Sequence, residues 1–73
     1  YDPHHPAVLA MIRMVVEKMP EQRRRIFRMS REEGLSNDQI AEQLSISRRT
    51  VENQISRALA ELRKLVKLIL FFF

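Results

Sequence analysis

Seventy-three residues make one small domain, which buries only roughly 60% of its unfolded surface and has little room for a dry catalytic pocket. It has no cysteine, so neither a disulfide nor a thiolate metal site supplements the core, and the composition fits a reducing compartment. A net charge of +4 and a pI near 10.4 permit a polyanionic partner without demanding one. Residues 1–6, with Pro3 and Pro6, read as an irregular linker remnant, and the domain proper is expected over 7–73. The first residue is Tyr1 rather than Met, which points to a piece of a longer chain, and no basic start followed by an apolar run marks a signal peptide.

From Ala7 to about Met19, the residues Val8, Leu9, Met11, Ile12, Val15, Val16 and Met19 recur at helical spacing. Pro20 ends that helix and suits the first turn of the next, where a missing N–H has no partner to lose. The second helix, Pro20 to about Glu33, turns Ile26 and Phe27 inward, with Met29 and Ser30 as further candidates. Gly34 stops it as a left-handed cap. Ser36, with Gln39 three residues on, has the spacing of a capping box and opens a third helix that runs to about Leu44. Ile40, Ala41 and Leu44 face inward there, and Ala41 is small where two helices cross closely. Ser45 and Ile46 make a turn, Ile46 plugs the core beneath it, and Ser47 caps a fourth helix. That helix carries Val51, Ile55, Ala58, Leu59, Leu62, Leu65, Val66 and Ile69 along one stripe. Unbroken to about residue 69, it would be roughly 33 Å long. Groove reading needs only its first half, so the second half is expected to pack back on the first helix. The fold class is all-α: a four-helix, winged-helix-like domain with a C-terminal helix-turn-helix and no internal repeat.

At about 100° per residue, placing Val51, Ile55, Ala58 and Leu62 inward turns Arg49, Asn53, Ser56 and Ala60 outward, flanked by Glu52 and Arg57. Arg48 and Thr50 fall in the first turn, where a helix N-terminus already favours phosphate. These are apt residues for a DNA groove. Arg bonds guanine in bidentate fashion, Asn does so with adenine, Glu accepts from the cytosine amino group, and Ser or Thr serves base or phosphate. The candidate DNA-binding residues are therefore Ser36, Asn37, Ser47, Arg48, Arg49, Thr50, Glu52, Asn53, Ser56 and Arg57. The two-helix layout places one helix in the major groove while the other braces it on the backbone.

Over about residues 8–66 the chain resembles region 4 of a bacterial RNA polymerase sigma factor, of the extracytoplasmic-function (ECF) group in the sigma-70 family. The matching elements are MPEQRRRIF, then EGLSNDQIAEQLSIS, then RRTVENQISRALAELRK. Regulators of the LuxR type share the central pattern; the preceding helix, the Met19-Pro20 junction and the run Arg57-Ala58-Leu59 to Leu62-Arg63 favour sigma. The resemblance implies a sigma region 4 fold that reads the −35 promoter element as double-stranded DNA and docks the β-subunit flap of RNA polymerase core. It also implies an anti-sigma partner, a cytoplasmic, nucleoid-associated place in a bacterium, and no cofactor or small-molecule substrate. Base contacts in the family fall here on Glu52, Asn53, Ser56 and Arg57. Two departures stand out: relatives often carry a basic residue at Glu52, and the family's Glu before Ile-Ala is Gln39. A carboxylate at position 52 either reads a cytosine or weakens phosphate attraction. The sigma region that melts the −10 element has no counterpart in the chain.

Other features have simpler readings. Arg23, Arg24, Arg25, Arg28 and Arg31 crowd the second helix; they suit DNA phosphate or an acidic protein patch. They equally suit a solvated face with Glu21–Arg25 and Arg28–Glu32 pairs at i,i+4, the reading preferred here. His4 and His5, adjacent in a Pro-flanked segment with no third ligand, do not make a metal site. The tail LVKLILFFF is too short to span a bilayer. Packing of Phe71–Phe73 against Val8, Ile12 and Val15, docking to a partner, or dimerisation would each cover it, with membrane attachment the minor option. With no Cys or buried His, no Gly-rich loop and no converging carboxylates, catalysis is set aside. The surviving alternatives to a sigma domain are a stand-alone or LuxR-type regulator and a protein-interaction domain.

Overall fold

Helix signals placed close together along the chain produce four helices: α1 Pro6–Glu17, α2 Glu21–Arg31, α3 Asn37–Leu44 and α4 Arg48–Phe72. The computed structural model describes residues 5–72, Phe72 by its backbone alone; the expectations for Tyr1 to His4 and for Phe73 lie outside the described residues. The fold is all-α as expected, and no strand occurs among the described residues.

The helix ends refine the sequence reading. α1 begins at Pro6 rather than Ala7, because proline's fixed φ and missing N–H suit the first helical position. His5 is its N-cap: the His5 Nδ1 accepts from the Ala7 N–H at 3.2 Å. Pro20 sits one position earlier than expected, as the N-cap of α2 with extended ψ of 147°, and its carbonyl accepts from Arg24 N–H at 2.9 Å. α2 ends at Arg31, short of Glu33, and Gly34 follows it in the left-handed region at φ 67°. The turn closes where Leu35 N–H donates to the Met29 carbonyl at 3.1 Å. Ser45, the C-cap of α3, also takes a left-handed conformation at φ 55°, which lets Ile46 N–H reach the Ala41 carbonyl at 3.0 Å.

Two apolar clusters share α4. Ile26, Met29, Ile40, Ala41 and Val51 form the first, with Leu35, Leu44, Ile46 and Ile55 packed around it. It locks α2 and α3 to the start of α4. Val16, Met19 and Ala58 form the second, bordered by Ile12, Val15, Phe27 and Leu62. It docks α1 on the middle of α4, the return packing expected from the helix length. Each fully buried aliphatic side chain contributes about 1.5–3 kcal/mol. No polar or charged side chain is buried among the described residues.

The tail is not a separate segment. α4 continues through it, and helical spacing buries Ile69 while turning Leu68, Leu70 and Phe71 to the surface. Phe71 is 82% exposed, so α1 does not cover it. Among the described residues, no helix is long and apolar enough to cross a membrane.

Candidate nucleic-acid interface

Local capping sets the two helices of the helix-turn-helix. Ser36 Oγ accepts from Gln39 N–H at 3.2 Å, and Gln39 Oε1 accepts from Ser36 N–H at 2.8 Å, the full reciprocal box. At the start of α4, Ser47 Oγ accepts from Thr50 N–H at 3.1 Å and lies 2.8 Å from Thr50 Oγ1. Ser36 and Ser47 thus each spend one oxygen lone pair on a helix end, and any further contact must come through the remaining hydroxyl capacity.

Val51 and Ala58 are both fully buried and fix which way α4 faces. Arg49, Glu52, Asn53, Ser56 and Arg57 are exposed on the opposite side, Thr50 is half-buried, and Asn37 is half-buried at the start of α3. Ala60, expected on the outward strip, is half-buried instead, so the open strip narrows beyond Arg57. The inward flank carries Gln54, whose Oε1 accepts from Arg23 Nε of α2 at 3.0 Å.

The arginines of α2 do not form the expected ladder. Neither Glu21–Arg25 nor Arg28–Glu32 is paired. Arg23 pairs instead with Glu61 of α4, Arg28 with Glu17 of α1, and Arg24 donates to the Glu17 carbonyl at 3.0 Å. Packing brings the end of α1 and the middle of α4 within reach of these long side chains, and the arginines follow. Arg25 and Arg31 remain exposed and without a partner among the described residues.

A second charge cluster was only partly legible in the sequence. Arg48, the first residue of α4, donates through Nε to Glu52 Oε1 at 3.0 Å. Its Nη1 lies 3.3 and 3.2 Å from the two carboxylate oxygens of Asp38 in α3. The i,i+4 spacing of Arg48 and Glu52 was a legible signal; Asp38 could be found only from the turn geometry. No group of three or more side chains is placed to hold a metal ion among the described residues.

A polar helix face beside a second, capped helix is the layout of a helix-turn-helix. The family model described as Sigma-70, region 4 matches residues 9–62, well over half of the chain. The chain belongs to the sigma-70 region 4 family. No curated protein and no solved structure matches it. Sigma-70 region 4 is a DNA-binding regulatory domain, not a catalytic family. The matched span takes in α2, α3 and the outward face of α4 but stops at Leu62. The last turns of α4 in this sigma-70 region 4 chain lie outside the matched span.

Proposed function

We propose that this domain reads the −35 element of promoters as duplex DNA, within a sigma factor of the ECF type bound to RNA polymerase core. One observation carries the reading: α4 exposes Arg49, Glu52, Asn53, Ser56 and Arg57 on the face opposite two fully buried anchors, Val51 and Ala58. Asn53, Ser56 and Arg57 offer the donors and acceptors that distinguish base edges, with Glu52 beside them. Arg49 and the N-termini of α3 and α4, with Ser36, Asn37, Ser47 and Thr50, fix the domain on phosphate. The β-subunit flap of polymerase and an anti-sigma factor are the protein partners in this reading, acting in the bacterial cytoplasm. Exposed Arg25 and Arg31 supply an unpaired basic edge to an acidic partner.

Selection from a randomised duplex library at two salt concentrations, alongside binding to polymerase core, tests this. One short non-palindromic motif and measurable core affinity are expected. An enriched inverted repeat with no core affinity points to a dimeric regulator of the LuxR type, and binding to core without any DNA preference leaves only a protein-interaction domain.

A further inference from the structure

Glu52 sits on the DNA-facing flank of α4, where a bare carboxylate repels phosphate. Arg48 next to it occupies the first position of the helix, where the macrodipole disfavours a cation. Each residue is poorly placed alone. Together with Asp38 they form a chain: Asp38 holds Arg48 Nη1, and Arg48 Nε holds Glu52 Oε1. One guanidinium between two carboxylates leaves this cluster net negative, so it does not attract the DNA backbone. Arg48 is thus already committed to two carboxylates. All three side chains are well exposed, at 60% for Arg48, 71% for Asp38 and 48% for Glu52, so the cluster is open to solvent beside the outer face of α4.

Resting on the promoter-reading proposal above, we infer that Glu52 is a specificity residue that accepts a hydrogen bond from the exocyclic amino group of a cytosine. Arg48, anchored on Asp38, is its positioning residue and not a phosphate contact. The guanidinium offsets the repulsion between Glu52 and the backbone and takes one carboxylate oxygen, which orients the other. The link from Asp38 also ties this orientation to the angle between α3 and α4, because the two residues lie on different helices of the motif.

The test is a double-mutant cycle in the 73-residue chain. Binding is measured to the selected duplex and to three versions with the pair facing position 52 permuted, at several salt concentrations. Glu52→Gln is expected to lower the preference for cytosine at that pair about tenfold. Arg48→Ala lowers the same preference, leaves the salt slope nearly unchanged, and has little further effect once Glu52→Gln is present. Arg48→Lys keeps the charge and also loses the preference, because an ammonium cannot reproduce the forked geometry. Asp38→Asn follows Arg48→Ala in direction. Urea unfolding of each variant separates these effects from loss of fold. The inference is overturned if Arg48→Ala weakens all four duplexes equally and lowers the salt slope by about one, whatever stands at position 52. A parent chain that shows no preference for any duplex overturns the promoter reading itself. That result is distinct from a parent that discriminates while its variants act additively.

Discussion

Arg23 of α2 donates from Nε to Oε1 of Gln54 in α4 at 3.0 Å, and its Nη1 pairs with Glu61 further along the same helix. One side chain therefore grips α4 at two points on the flank next to the buried stripe. It is 13% exposed, much less than a surface arginine. The grip ties α2 to the flank of α4, whose rotation the buried Val51 and Ala58 fix and with it the direction in which Asn53 and Ser56 face.

Arg23→Met, which keeps the apolar stem but loses both bonds, is expected to destabilise the domain by roughly 1–2 kcal/mol, after discounting the partly exposed Glu61. Arg28→Met should cost well under ~1 kcal/mol, since the Arg28–Glu17 pair is mostly exposed. Urea unfolding of both variants decides the matter; equal losses would mean that the Arg23 grip has no special weight.

Capping and DNA contact are separable at Ser36. Ser36→Ala removes the acceptor for Gln39 N–H and should cost about 1 kcal/mol of stability. Ser36→Asp keeps a good cap, so stability should hold, yet its charge at the DNA side should lower duplex affinity several-fold. If the aspartate variant binds DNA as well as the parent, α3 does not approach phosphate through its N-terminus.

Asn53→Ala is expected to relax base preference at one position, by about 1–3 kcal/mol of discrimination, with an unchanged salt slope. Arg49→Ala should instead weaken binding to every sequence and flatten the slope of log K against log salt by nearly one. Titrations against matched and mismatched duplexes at three salt concentrations distinguish the two; a common response in both variants would contradict the division of roles along α4.

Both left-handed residues make opposite predictions. Gly34 has open space where a Cβ would go, so Gly34→Ala is penalised by the backbone alone, at about 1 kcal/mol. Ser45 already bears that strain at φ 55°, so Ser45→Gly should be stabilising by up to about 1 kcal/mol. Thermal melts of the pair give the signs; a Ser45→Gly variant less stable than the parent would show that the serine side chain compensates for its backbone.

Much of this domain is local and was therefore legible. The capping box of Ser36 and Gln39, the Gly34 stop and the Val51 to Ile69 stripe follow from hydrogen bonds three or four residues long and from the helical repeat. Those rules act within one helix, so they also place Arg49, Asn53 and Ser56 on a common face without knowledge of the rest of the chain. The charge partners were not legible in the same way. Arg23 meets Glu61, Arg28 meets Glu17, and Asp38 meets Arg48, each across two different helices. A long guanidinium takes whichever acceptor packing brings within reach, and only the two apolar clusters around α4 decide which that is. The same packing leaves Phe71 at the surface, because a stripe of fixed width buries Ile69 and turns its neighbours away. Sequence alone thus determined the four helices and which residues share the outer face of α4; tertiary structure decided several helix ends and which charges hold that face in place, since those contacts depend on distance in space and not along the chain.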